Sequence, residues 1–303
     1  MGTWGSGLYS GDFAMDLRTT VGAVARLPYD ADRLVDILCE TEPGAANDST
    51  HEDHLTFWLI VADQFAKRGI VCDRVRENAL QIIDNGADIA RLQELGMNEP
   101  GLRKRRNQLQ NVRTRIAAAN AAKPRAVLKK PQPLLMDVGD VIAYPIRRGA
   151  PINPYYTTIR MENGRPWIQD GWGVAVIIDR GRAFEFLSWY RPLTMAEASN
   201  EKPPLDSLRG NVRWRLQQPG TCSASHFKRM EIEKIGSLAI DPGKLKNLWP
   251  RLSPGTLHAA SDISLGNNLR ATPHGEEEPK RFKRQDLITS LEQMLCDEHR
   301  PAT

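Results

Sequence analysis

The densest group of side chains able to do chemistry is His51-Glu52-Asp53-His54. Two imidazoles at i and i+3 with carboxylates between them have a metal-ligand spacing when they open a helix. The same residues read equally as a solvated first turn, where acids sit favourably at the positive end of the helix dipole. A metal site needs a third ligand from another element, and the sequence offers no evident candidate. Ser223, Ser225 and His226 supply nucleophile and base types, with Cys222 just before them. Neighbouring residues rarely face one another, and the G-x-S-x-G elbow is missing. The expectation there is a loop with a partly exposed histidine. Asp137 and Asp140 flank Val138-Gly139 as turn formers. Gly5/Gly7 and Gly171/Gly173 match neither the dinucleotide nor the Walker spacing. No cofactor is expected, and the chain reads as leaning away from catalysis.

Charge is more informative than any catalytic motif. The 303 residues carry a formal net charge of +4. Residues 1–100 hold 8 Lys+Arg against 17 Asp+Glu, whereas residues 101–130 hold 10 Lys+Arg and no acid. An acidic block, a basic arm and a nearly neutral remainder imply a partner or docking within the chain. The acids Asp30, Asp32, Asp36, Glu40 and Glu42 form a face suited to a basic partner, where fixed carboxylates speed association. The run Arg103-Lys104-Arg105-Arg106 could instead neutralise phosphates of a nucleic acid. Aromatics are absent from 101–130, so stacking on single-stranded bases is not expected there.

The elements that must position these groups follow from periodicity. The mean hydropathy is −0.46, and no window approaches the apolar length of a membrane helix. Residues 12–27 predict a helix capped at Asp12, and residues from 30 or 31 a second with Leu34, Ile37 and Leu38 inward. Residues 41–49 read as loop. Thr50-x-x-Asp53 resembles a capping box opening a third helix with the stripe Leu55, Trp58, Leu59, Ala62, Phe65 and Ala66. Helices near 72–84 and 89–95 end at Asn85-Gly86 and Gly96. Residues 99–122 form one long polar helix with a thin seam of Leu102, Leu109, Val112 and Ile116. Residues 123–134 are a stiff Pro/Lys linker.

Beyond the linker the apolar period becomes two. A turn followed by a strand is expected over 138–146, and strands over 155–161, 172–178 and 183–190, with turns at 162–164 and 179–182. Further strands are expected at 212–216 and 233–240, a helical turn at 242–249, a long loop at 251–283 and a closing helix at 285–297. The fold class is therefore α+β: an all-α region, then a small bent antiparallel sheet or half-barrel with a closing helix. The domains are expected at 1–98, 99–134 and 135–303. Trp4, Trp58, Trp172 and Trp189 are expected in cores. Cys39, Cys72, Cys222 and Cys296 are expected reduced and buried in a cytoplasmic protein, since no secretory pattern opens the chain. Gly2 with Ser6 also fits the bare myristoylation pattern, though the glycines and Trp4 suit a packed turn.

Two resemblances add to this. Gly2-Thr3-Trp4-Gly5-x-Gly7-x-Tyr9-x-x-Asp12-x-Ala14-x-Asp16 is followed by Phe57-Trp58-Leu59 and by Asn78-Ala79-Leu80-x-Ile82-Ile83-Asp84-x-Gly86-Ala87-Asp88. Together these resemble the largely bacterial domain of unknown function 4259 family over about the first 100 residues. That resemblance implies a small helical domain and no established activity. Val138-Gly139-Asp140-Val141-x-Ala143-x-Pro145-Ile146, Gly173-Val174-Ala175-Val176-Ile177 and Lys234-Ile235-Gly236-Ser237-Leu238 are similar to the bacterial toxin-immunity family immunity protein 26. An insert of about 25 residues separates the first two segments. This second resemblance implies a small β-rich domain that binds and neutralises a partner toxin.

The expected function is therefore protein binding, as a toxin-immunity or defence-associated component that occludes a partner surface. One alternative is nucleic-acid binding through Arg103, Lys104, Arg105 and Arg106. Another is a metal-dependent hydrolase using His51 and His54, or His226. No membrane partner is expected.

Overall fold

A computed structural model describes residues 5–118, 125–154, 161–162, 165–250, 252, 264–276 and 287–297. The chain divides into two units, residues 1–130 with 258–263, and residues 131–257 with 264–303. The fold is α+β, with a helical region first and an antiparallel sheet after it.

The first unit is built from α1 (Asp12–Val24), α2 (Ala31–Thr41), α3 (Pro43–Asn47), α4 (His54–Lys67), α5 (Asp73–Asp84), α6 (Ala87–Glu94) and α7 (Glu99–Ala118). The centre is α4, which packs against α1, α3, α5, α6 and α7. Its residues Phe57 to Phe65 are all buried. The single apolar stripe expected from the spacing is thus too narrow, because a helix apolar on most sides is surrounded by its neighbours. Asp30 caps α2 by accepting from the Arg33 amide at 2.8 Å.

Local chemistry differs from expectation at three helix starts. Gly11, in extended backbone, caps α1 in place of Asp12. Residues 43–47 are helical rather than loop, with Pro43 fitting the first turn, where no amide donor is needed. Thr50 does not cap α4. Its amide and hydroxyl both donate to Asp48 Oδ1, at 2.8 and 2.6 Å, in a local turn that competes with capping.

In α7 the expected seam is buried, together with Arg105. Beyond it, the Leu128 amide donates to the Arg26 carbonyl at 2.8 Å, and Arg125 donates to the Leu27 carbonyl at 2.9 Å. The start of the expected linker is therefore fastened to the helical unit.

The second unit is built on an antiparallel sheet. Its longest strands are β1 (Asp140–Arg147), β5 (Gly171–Ala183) and β6 (Leu187–Met195). Shorter ones are β2 (Ala150–Pro151), β3 (Met161–Glu162), β4 (Arg165–Pro166), β7 (Trp214–Leu216), β8 (Gly220–Thr221), β9 (Glu233–Ser237) and β10 (Leu287–Ile288). The order is β10-β7-β6-β5-β1-β2, with β9 also on β1 and β8 also on β6, while β3 and β4 pair apart. All of these pairings are antiparallel, with Val141 opposite Val176 and Tyr144 opposite Gly173. Among its described residues the unit also holds the short α-helices α8 (Ala224–Arg229), α9 (Pro242–Leu248) and α10 (Leu265–Asn268).

Both faces of β5 are covered. Val174, Val176 and Ile178 enter a core with Leu193, Trp214 and Leu291, while Ala175 and Ile177 enter another with Tyr144, Tyr190 and Leu265. That accounts for the nearly unbroken apolar run, since a strand buried on both sides has no polar face.

Asp179-Arg180-Gly181-Arg182 has turn composition but lies inside β5, past a register shift between Ile177 and Asp179. Gly181 is there for packing: a Cβ would lie 2.7 Å from the Trp189 ring opposite. The turn instead uses Phe184 and Glu185, both with positive φ.

The apolar spacing of 285–297 predicts a helix, yet its described part holds β10 and a 3-10 turn at Leu291–Gln293. Strand pairing of Leu287 and Ile288 with Arg215 and Trp214 overrides the local helical preference. The expected strand at 155–160 and most of the loop at 251–283 lie outside the described residues, as do Gly2 and Trp4. Trp58 and Trp189 are buried, whereas Trp172 is only partly so. Cys39, Cys72 and Cys222 are free and buried, but Cys296 is exposed. Among the described residues no helix is long and apolar enough to cross a membrane.

Candidate functional site

A groove on the β-rich unit, of about 660 Å³, is open to solvent. Its wall is the chain leaving β6. Residues 196–199 run extended and are held on both edges. Ser199 and Trp172 exchange backbone hydrogen bonds of 2.7 and 2.9 Å. On the other edge the Ala198 amide donates to the Thr272 carbonyl, and the Thr272 amide to the Ala196 carbonyl, both at 2.8 Å.

The extended backbone sends alternate side chains to opposite sides. Ala196 and Ala198 are buried while Glu197 is exposed. The chain then turns back through a 3-10 helix at Leu205–Arg209, which sinks Leu208 to 1% exposure. Met195, Ala198 and Leu208 make an apolar floor, and Glu197, Asn200, Glu201, Asn211, Arg213 and His274 a polar rim. Glu197 Oε1 lies 3.1 Å from His274 Nδ1 and accepts from the Gly275 amide at 3.2 Å. Nothing in the sequence pattern marked this surface, because it is assembled from separated loops of ordinary polar composition.

The helical unit has a second concentration of charge, around Asp63. This residue is 1% exposed, in the middle of the most apolar helix. Lys67 Nζ reaches its Oδ2 at 2.5 Å, the Tyr9 hydroxyl donates to the same oxygen, and Arg115 Nη1 donates to Oδ1. Gln64 donates to the Tyr9 oxygen. Arg18 and Lys67 stand 5.2 and 5.1 Å from the Tyr9 ring centre. Burial, then the hydrogen bond to Asp63, pushes the Tyr9 phenol well above its ordinary value. The one sequence signal for this cluster was a lone carboxylate inside the apolar run of α4.

The residues singled out by sequence meet different fates. Along α2, Asp30 is a helix cap, Asp36 pairs with Arg74 at 3.0 Å and Glu40 with Arg33 at 2.7 Å. Asp32 accepts from the Cys72 thiol at 3.4 Å. Glu42 is half-buried, and burial followed by the charge of Asp53 pushes its carboxyl up. Four of the five acids thus have partners within the helical unit.

The basic run is divided as well. Arg105 is buried against Asp88 in two hydrogen bonds of 2.8 Å. It is therefore not available to a nucleic acid or partner, because its outward-facing neighbours alone reach solvent. Arg106 pairs with Glu99 at 2.7 Å and Arg113 with Asp84 at 2.9 Å. Arg103 and Lys104 remain exposed and without an ion pair among the described residues. Much of the basic arm thus answers the acidic block within one unit.

His51 Nδ1 accepts from the Asp53 amide at 3.1 Å, while His54 Nδ1 lies 2.8 Å from the Ala45 carbonyl and its ring meets Trp58 edge-on. The two imidazoles are thus engaged with different partners. No group of three His, Cys, Asp or Glu among the described residues is arranged to hold a metal ion. Ser223 caps α8, accepting from the His226 amide at 3.3 Å and lying 3.0 Å from Ser225 Oγ. Burial pushes the Cys222 thiol up to about 12. The Asp137 amide donates to Asp140 Oδ2 at 2.8 Å, which is turn chemistry, and Asp140 also pairs with Lys234 of the neighbouring strand β9 at 2.6 Å. No family model, curated protein or solved structure matches the chain.

Proposed function

We propose that the protein works by binding another protein, as a bacterial toxin-immunity or defence-associated component that occludes a partner surface. The observation that carries this reading is the groove of the β-rich unit, with its floor of Met195, Ala198 and Leu208 inside a polar rim. An apolar floor within a polar rim is the anatomy of a protein interface. A metabolite site would enclose most of its ligand, whereas this groove is open to solvent. The resemblance of residues 138–146, 173–177 and 234–238 to an immunity family points the same way. The mechanism is steric and electrostatic, with no bond made or broken. Glu201 on the rim favours a partner segment bearing basic groups.

The test is co-expression with the product of the neighbouring gene, scored by growth and by isolation of a complex. The wild-type chain is expected to protect and to form a stoichiometric complex. The double variant Asn200→Arg with Asn211→Arg fills the rim with bulky charge while leaving the floor intact. It should weaken binding by about tenfold or more. Neither complex nor protection with the wild-type chain overturns the reading.

A further inference from the structure

From the cluster around Asp63 we infer that the helical unit has a binding site for a phosphoryl group, formed by Arg18, Lys67 and Arg115 beside Tyr9. The argument is one of charge and donor count. Four cations from three helices converge on this place: Arg18 from α1, Lys67 and Arg68 from α4, and Arg115 from α7. Of the four, Lys67 and Arg115 pair with the Asp63 carboxylate. Tyr9 and Asp63 act on Arg68 with the sign of an acid, whereas Arg18 acts on it with like charge. One carboxylate offsets one cation, so a net positive charge remains at a partly exposed surface.

The donors are not exhausted either. Asp63 already accepts from Tyr9, Lys67 and Arg115, and it is 1% exposed. Arg68 is satisfied by the Gln64 carbonyl and side chain, at 3.0 and 2.6 Å. Arg18 is exposed and makes no hydrogen bond or ion pair among the described residues, standing only against the Tyr9 ring. Its guanidinium keeps all its N–H donors, and Arg115, at 39% side-chain exposure, keeps most of its own. The Lys67 side chain is 42% exposed.

Planar guanidinium forks beside an ammonium suit a tetrahedral dianion, which accepts charge-assisted hydrogen bonds from several sides. The buried Asp63 acts as a positioning residue: it fixes Lys67 and Arg115 so that little side-chain entropy is lost on binding. The same phosphoryl chemistry is carried by free phosphate and by the terminal phosphate of a small metabolite.

The experiment uses the full chain at constant ionic strength, with chloride replaced in steps by inorganic phosphate or by glucose 6-phosphate. Thermal unfolding and the arginine Nε–H resonances are followed. At about 20 mM phosphate the wild-type midpoint should rise by about 3 °C, from preferential binding to the folded state. Arg18→Gln should weaken binding about tenfold, Arg18→Lys less, and Arg103→Gln not at all. A larger effect of glucose 6-phosphate than of phosphate assigns the site to a metabolite, and an equal effect assigns it to the free anion. No shift, a shift equal in Arg18→Gln, or a shift matched by chloride alone overturns the inference. Arg18 touches no backbone partner, so Arg18→Gln should fold as the parent does, and the unchanged resonances of the remaining arginines check that.

Discussion

Replacing Asp88 by alanine removes the counter-charge of a buried arginine. Arg105 is 5% exposed and Asp88 4%. Two hydrogen bonds of 2.8 Å join them, and Arg105 donates a third, of 2.9 Å, to the Gly7 carbonyl. A guanidinium cannot shed its proton to escape burial. Removing one partner of such a pair costs about 3–5 kcal/mol. With a urea dependence of about 2 kcal/mol per molar, the unfolding midpoint of the helical unit should fall by about 2 M. The double variant Asp88→Leu with Arg105→Met removes both charges and should recover most of the loss, since apolar replacement of a buried pair is nearly neutral. Reversal of the exposed Arg103 and Lys104 should change stability by less than about 0.5 kcal/mol. Because the chain has two units, the assay is local: amide hydrogen exchange across α1 to α7 as urea is raised. A loss below about 1 kcal/mol in Asp88→Ala would refute the premise that an unpaired buried charge is what costs. So would a double variant no more stable than the single one.

Three other outcomes are expected. Gly139 has φ +90° and an added Cβ would lie 2.1 Å from the Leu238 carbonyl oxygen, so Gly139→Ala should destabilise the β-rich unit by about 2 kcal/mol or more, read by thermal denaturation. Glu42 has its carboxyl raised in the folded state, so folding takes up a proton. Its contribution is fully present below the unfolded pKa and is lost as pH rises through the folded one. Glu42→Gln should therefore be more stable than the parent at pH about 7 and equal to it at pH about 3.5, and a flat difference across that range would contradict the assignment. Native alkylation followed by intact mass should add one label, at the exposed Cys296, with Cys39, Cys72 and Cys222 reacting only on unfolding.

Legibility in the sequence followed the range of the interactions. The helices around 31–41, 73–84 and 99–118 were readable because their apolar spacing is local, with Asp30 capping the first and Asn85-Gly86 following the second. The strands at 140–147 and 214–216 were readable for the same reason. The turn expected at 179–182 failed because Asp and Gly are turn formers in isolation, whereas here Gly181 makes room for a tryptophan on the neighbouring strand. The helix expected at 285–297 failed because a remote strand claimed Leu287 and Ile288. The candidate sites fared worse. The acids of α2 and the run 103–106 were visible as charge, but their partners were not.

By itself the sequence determined that a helical region precedes a sheet, because the apolar period changes from that of a helix to that of a strand after residue 134, and that period is a local property. It also determined the opposed charges of residues 1–100 and 101–130. Only the tertiary structure decided what those charges do. Arg105 meets Asp88 across 17 residues, Arg115 meets Asp63 across 52, and Tyr9 meets Asp63 across 54. The groove rim likewise joins Glu197 to His274. An ion's partner is fixed by where the packed helices and strands bring it, and the energy of a charge depends on burial and distance, neither of which is written in its sequence neighbours.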